Sequence, residues 1–399
     1  MRKILRTLFV IILSLTNFVN VSAQNSKKLD RYFQKKMKKA NLAGLQMTFV
    51  SEGNTKWVGS YGYQDYESKL LVNDSTLFMI ASSSKPITAL GVLKLYEDGL
   101  LNLDGDINTY LPFNITNPYF PKAVVTPRML MAHMSSFKDN TELMNSLYTH
   151  ESGGDSPISL EFFVKNYFTE GGKYYIKTGN FLNSKSSTEK SYCNAGYALL
   201  GYLVEHISGM PFNEYIEEKI FKPLEMNSSY WFLKDIPDSN ISKPHELIHN
   251  ESKTVSYKTL KHYGYPDYPD GQLRTNVSDY SNFISLILNK GTYNGKRIIK
   301  ETTIEEFLAI QFCETDEYQA LAWNYNEFDN WIYYLLMPRL PSHTGVDPGV
   351  ATVVSFDPKK KIGAVIFSNT LTNDFIAHKI FYQEMMKKLL KAAKRNRLN

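Results

Sequence analysis

An α+β fold, with one antiparallel sheet assembled from both ends of the chain around an inserted helical lobe, is predicted by three features of this sequence. Strand-like stretches occur early, at Leu45–Val50 and Lys56–Tyr61. They return late, at 350–357 (VATVVSFD) and 362–368 (IGAVIFS). Between about 115 and 340 the pattern is mostly helical, with irregular insertions and few strand signals. Strands must pair to satisfy their backbone groups, so the two ends are expected to meet in one sheet, with the helices packed beside it.

The first residues, MRKILRTLFVIILSLTNFVNVSA, combine a basic start (Arg2, Lys3, Arg6), an apolar run from about Leu8 to Leu15 and the small-residue ending Val21-Ser22-Ala23. That run is shorter than the roughly 20 residues that span a bilayer. Residues 1–23 therefore read as a cleavable bacterial signal peptide, which places residues 24–399 in the periplasm or outside the cell. No cysteine follows the run to take a lipid, and no later stretch is long and apolar enough for an integral membrane segment. Loss of those three cations takes the formal charge from +5 to +2, and a near-neutral chain is a poor nucleic-acid binder on charge alone.

Residues 25–40 read as a charged amphipathic helix, and Ser51-Glu-Gly-Asn as the turn joining the first two strands. A further helix runs to about Gly99. Ala89, Val92, Leu93 and Tyr96 form its apolar stripe, and Ile87, Leu90 and Leu95 widen it enough to predict burial. Pro358-Lys-Lys-Lys turns between the last two strands, and a helix from about Asn373 to Lys394 closes the chain. Residues 24–399 are thus expected to form a single domain. Its α/β lobe spans about 25–80 and 340–399, and its helical lobe about 81–339. The basic end, KKLLKAAKRNRLN, reads as a solvated helix face rather than a membrane contact. Cys193 and Cys313 are the only cysteines. Their pairing is not decided by sequence, and they support neither a disulfide scaffold nor a cysteine metal cluster.

The chemistry-bearing stretch is Phe78-Met-Ile-Ala-Ser-Ser-Ser-Lys-Pro-Ile-Thr88. Ser82 and Lys85 stand three apart, so a first helical turn puts them on one face, and Pro86 is tolerated there. A serine hydroxyl becomes a nucleophile only when a base takes its proton. A lysine serving as that base must fall from about 10.4 toward 7, roughly 4–5 kcal/mol of environment. A lone S-x-x-K is more often a capped helix start. Two further stretches change the balance. Tyr192-Cys-Asn194 has its outer residues alternating across Cys193, and His343-Thr344-Gly345-Val346 stands directly before the C-terminal strands, with a glycine small enough to let substrate approach a strand edge.

S-x-x-K, then Y-x-N, then K/H-T/S-G, in this order and at these separations, resembles the serine β-lactamase and penicillin-binding-protein superfamily on its class C-like side. The framing text resembles it too, in Leu130-Met-Ala-His-Met-Ser135, Pro223-Leu-Glu-Met226 and Gly363–Asn369. The resemblance covers about residues 28–390. It implies a β-lactamase-like fold, no cofactor and a small-molecule acyl substrate. Ser82 would form an acyl-enzyme, and Lys85 and Tyr192 would share its proton. Asn194 would hold Lys85 and the substrate, the backbone N–H groups of Ser82 and Val346 would form the oxyanion hole, and His343 and Thr344 would line the opposite wall. Oligomeric state is left open.

The departures from the pattern bear on substrate. His343 replaces the lysine of K-T-G, so the usual cation facing a substrate carboxylate is absent. A Pro-Gly before Y-x-N is replaced by Ser187-Thr-Glu-Lys-Ser191, Ser136 stands at a glycine position, and Asp270-Gly-Gln-Leu273 departs from a glycine pair. The expected activity is hydrolysis of small esters, amides or D-amino-acid peptides. Its alternatives are acyl transfer to an alcohol, a β-lactamase, and a catalytically silent binding module, which loss of Ser82, Lys85 or Tyr192 would have marked. His133 reads as a hydrogen-bonded structural histidine, and the aromatic run in Tyr318–Leu340 as packing more than pocket wall. His245-Glu246-Leu-Ile-His249 matches the zinc-protease pattern H-E-x-x-H. Pro244 and Asn250 leave it barely two helical turns, so metal binding is the weaker reading.

Overall fold

The computed structural model describes residues 27–237, 240–249, 255–327, 339–371 and 374–397. The proposed leader, residues 1–23, lies outside them. Helix α1 (27–39) precedes strands β1 (Gly44–Ser51), β2 (Asn54–Asp65) and the short β3 (Leu70–Leu71). Near the other end come β6 (Ser342–Asp347), β7 (Val350–Asp357) and β8 (Ile362–Ser368). The six form one sheet in the order β6-β7-β8-β1-β2-β3, antiparallel throughout. The seam between the two ends of the chain runs from Leu45 opposite Ser368 to Ser51 opposite Ile362.

Both faces of this sheet are covered, which explains strands rich in apolar residues along their length. Every residue of β1, β7 and β8 is buried. Leu45, Met47, Ala351, Val353, Ala364 and Ile366 pack with Phe33 of α1 and with Phe381, Met385 and Leu389 of the C-terminal helix. On the opposite face Val354, Phe356, Val365 and Phe367 join a larger core. That core contains α2 (Lys85–Glu97), α3 (Asn194–Ser208) and α4 (Val277–Leu288), all largely buried. The closing helix, Phe375–His378 continuing to Arg397, carries a π-helical stretch at Lys379–Met385.

The mostly helical middle of the chain also carries strand pairing. A hairpin of β4 (His245–His249) and β5 (Val255–Thr259) stands within it, and β4 pairs in parallel with β9 (Thr370–Leu371). The H-E-x-x-H stretch is therefore a strand, on which its two histidines lie about 13 Å apart along the chain instead of one helical turn. His245 is spent on the fold, since its Nε2 accepts from the Tyr66 N–H at 3.0 Å. Among the described residues no cluster of histidine, cysteine, aspartate or glutamate is arranged to hold a metal. The cysteines do not pair: Cys193 is buried, Cys313 is exposed and both are free. In the aromatic run, Trp323 is fully buried against Phe283, Phe307 and Phe356. Phe328, Trp331, Tyr333 and Tyr334 lie outside the described residues.

Candidate active site

The three serines are separated by burial. They form a 3-10 turn, Ala81–Ser84, ahead of α2, and Ser82 alone of the three is partly exposed. Ser83 is held beneath by Thr352, its Oγ 2.9 Å from Thr352 Oγ1, and its carbonyl accepts from the Tyr280 hydroxyl at 2.8 Å. Ser84 donates its hydroxyl to the Ala81 carbonyl at 2.7 Å and accepts from the Leu273 N–H at 3.3 Å. Ala81, the residue before Ser82, sits at φ +47°. A left-handed alanine costs about 1–2 kcal/mol, and these buried bonds are what hold it there.

Lys85 is fully buried and uses all three ammonium protons. Its Nζ donates to Ser82 Oγ at 3.0 Å, to the Asp270 carbonyl at 2.9 Å and to Asp270 Oδ2 at 3.1 Å. Burial alone would push the lysine down. The Asp270 carboxylate and Tyr192 outweigh it, so the ammonium is held above its ordinary range. Burial lifts Asp270 in turn, and Lys85 pulls it back to about 6. Its second oxygen, Oδ1, is buried with no hydrogen-bond partner among the described residues. Lys85 is thus not the neutral amine that the sequence argument required at rest.

Tyr192 is 46% exposed. Its hydroxyl end interacts with Lys85 and Ser82, and the ring centroid lies 4.9 Å from Lys85 Nζ. Burial of that end raises the phenol above its usual range, against the pull of Lys85. His133 fixes Tyr192 from both sides. Its carbonyl accepts from the Ser191 N–H at 2.9 Å and its Nδ1 from the Cys193 N–H at 3.1 Å. Its ring lies 4.3 Å, centroid to centroid, from that of Tyr192. Burial and the Lys85 charge push His133 well below the usual histidine range, as a ring accepting at Nδ1 requires.

Asn194 opens α3. Its N–H donates to Asp139 at 2.9 Å and that of Ala195 to the same carboxylate at 3.0 Å, a negative charge at the positive end of a helix. The Asn194 Oδ1 is buried without a partner among the described residues, and Lys85 spends its donors on Ser82 and Asp270 instead. The Ser187–Ser191 loop closes on the core without Pro-Gly, Ser187 donating its N–H to the Met134 carbonyl at 2.7 Å. Ser136 occupies φ +61°, a left-handed position that accounts for the glycine expected there.

The opposite wall is β6, the edge strand. A Cβ on Gly345 would meet the Ile80 carbonyl at 2.5 Å and the Ser83 nitrogen at 3.1 Å, as well as Thr352 Oγ1. Its small size lets the strand itself seat against the Ser82 turn, a role different from the substrate access expected of it. Thr344 donates its N–H to Glu327 Oε1 at 3.0 Å, so that N–H points away from β7. Strand groups alternate with a period of two, so the Val346 N–H points to the same open edge. Val346 is 52% exposed. His343 is buried, with Nδ1 2.6 Å from the Thr344 carbonyl. Burial and then the Lys85 charge lower it to about 3, so it is a neutral wall at physiological pH. Asp139 and Glu327 carried no motif in the sequence, and Asp270 was marked only as a departure from a glycine pair.

A seryl-lysyl-tyrosyl constellation beside the edge strand of an α+β fold defines the class. The family model for beta-lactamase matches residues 29–384, and the chain belongs to that family. Protein flp of Staphylococcus aureus (strain N315) is 22% identical over 362 residues, covering 90% of this chain but only 66% of its own length. Among solved structures, the octameric penicillin-binding protein homologue from Pyrococcus abyssi superposes with a TM-score of 0.68 at 22% identity, over 88% of this chain and 76% of that one. The D-amino acid amidase from Ochrobactrum anthropi gives 0.70 at 18% identity, over 95% and 99%. These are likenesses of fold. Among the described residues no helix is long and apolar enough to cross a membrane.

Proposed function

We propose that this chain is an exported serine acyl-hydrolase that works through a Ser82 acyl-enzyme on small esters, amides or D-amino-acid peptides. The observation that carries the reading is a partly exposed Ser82 whose Oγ lies 3.0 Å from a fully buried Lys85 ammonium. Ser82 Oγ bonds to the acyl carbon as its proton passes to Lys85, while Lys85 hands a proton to Asp270 Oδ2. The carbonyl oxygen takes up negative charge between the Ser82 and Val346 N–H groups, donors worth about 3–4 kcal/mol each in comparable sites. Collapse expels the leaving group, which is protonated from the Tyr192–Lys85 pair, and water reverses the sequence on the acyl-enzyme. Lys85, Tyr192 and Asp270 share their protons and titrate as one set. A family placement and the fold of a D-amino acid amidase support this substrate range, and the neutral His343 weighs against a dedicated β-lactamase.

The test is a panel of acyl donors, with water and alcohols as acceptors and products identified by mass spectrometry. Hydrolysis that Ser82→Ala abolishes and a chelator leaves intact supports the reading. Activity lost to chelator and restored by zinc would overturn it, and a product in which the alcohol carries the acyl group would make the enzyme a transferase.

A further inference from the structure

The edge strand that faces the cleft already holds a carboxylate. Glu327 Oε1 accepts the Thr344 N–H at 3.0 Å and is also bonded by the Thr344 hydroxyl. Those are the paired backbone and side-chain donors that a carboxylate of an incoming acyl donor would need on β6. Thr344 lies two residues before Val346 and one after His343, so the filled position is beside the proposed oxyanion site. Among the described residues, the cations near the cleft already have partners. Lys85 is paired with Asp270 at 3.1 Å and Lys190 with Asp316 at 2.5 Å, while His343 is neutral. A second anion entering here would face Glu327 at short range with each of these cations already engaged.

We propose that Glu327 is a specificity residue which fills the carboxylate position of the cleft from within the chain, so that the enzyme takes acyl donors carrying no carboxylate at that end. The inference rests on the Ser82 acyl-enzyme reading and narrows its substrate class. It turns the missing lysine of the K-T-G motif into one half of a consistent change: the cation is gone, and an anion stands where the cation's ligand would bind. Charge repulsion and an occupied donor pair act together, and both are removed by one substitution.

The experiment compares 4-nitrophenyl benzoate with its 3-carboxylate analogue on the mature chain, reading the single-turnover release of nitrophenolate. Wild type is expected to acylate from the uncharged ester at least tenfold faster per unit concentration. Glu327→Ala should raise the carboxylate-to-uncharged ratio of kcat/KM by tenfold or more. Glu327→Gln, which keeps an acceptor for Thr344 and loses only the charge, should move the ratio part of the way. A ratio unchanged in both variants, with Ser82 still labelled by a fluorophosphonate, overturns the role of Glu327 alone. Loss of that labelling from wild type overturns the acyl-enzyme reading beneath it.

Discussion

Replacing Asp270 by asparagine removes the one carboxylate bonded to Lys85 among the described residues and leaves a buried ammonium without its counter-charge. Breaking a buried pair from one side costs about 3–5 kcal/mol. Lys85 can escape part of that by releasing its proton. A fall from about 10.4 to between 7 and 8 is worth about 4 kcal/mol, so the two estimates agree and the lysine of the variant should titrate in that range. The catalytic consequence has a definite sign. On the proposed proton path, the wild-type acceptor behind Lys85 is Asp270, raised to about 6. Activity is present above that value and lost as pH falls through it, because a protonated Asp270 can accept nothing. In the variant the acceptor is Lys85 itself, so the acidic limb moves up to the lysine's own value. At pH 6.5 kcat/KM for an uncharged chromogenic ester should fall about 3- to 25-fold beyond any uniform loss, and it should recover by pH 9. The groups that act on Asp270 besides Lys85 include Asp139, Asp267 and Asp347, with Tyr148, Tyr192 and Tyr265, and all stay in place. Asp270→Glu should keep the limb near 6. A limb that stays put in Asp270→Asn, with only a uniform loss of rate, would refute the proton path through Asp270.

Gly345→Ala should destabilise the fold by about 1–3 kcal/mol in urea unfolding and slow acylation, because its Cβ meets backbone of the Ser82 turn at 2.5 Å. His133→Phe keeps the ring against Tyr192 and removes the acceptor for the Cys193 N–H. It should lower kcat about 10- to 100-fold through misplacement of Tyr192, with the far-ultraviolet spectrum preserved. Away from the site, burial of Asp65 is outweighed by its Lys243 and Ser68 bonds, which lower it to about 2. Its contribution is therefore present above the unfolded value near 4 and lost as pH falls toward 2. Asp65→Asn should cost about 1–2 kcal/mol at pH 7, after screening at the exposed Lys243, and almost nothing at pH 2.

The two-ended sheet was legible because its central strands are rich in apolar and β-branched residues and its turns are short and polar. Ser82 and Lys85 were legible because a helical turn brings positions three apart together whatever surrounds them. The carboxylates were not. Asp270, Asp139 and Glu327 reach the cleft from three separate segments, and each sits in a short irregular stretch with no periodicity to announce where its side chain goes. The β4–β5 hairpin escaped for a related reason, since its short, half-exposed strands give a weak alternation, and His245-Glu-Leu-Ile-His249 fits a helical template as well as an extended one. The state of Lys85 could not be read at all from S-x-x-K, because it depends on a residue 185 positions away.

The central claim is that Ser82, and neither neighbouring serine, is the nucleophile. Treating the mature chain and its Ser82→Ala, Ser83→Ala and Ser84→Ala variants with a fluorophosphonate probe, then mapping the modified peptide by mass spectrometry, tests it directly. The account predicts a single adduct on Ser82, absent from Ser82→Ala and present in the other two variants. Equal labelling of wild type and Ser82→Ala, or an adduct on another residue, would contradict it.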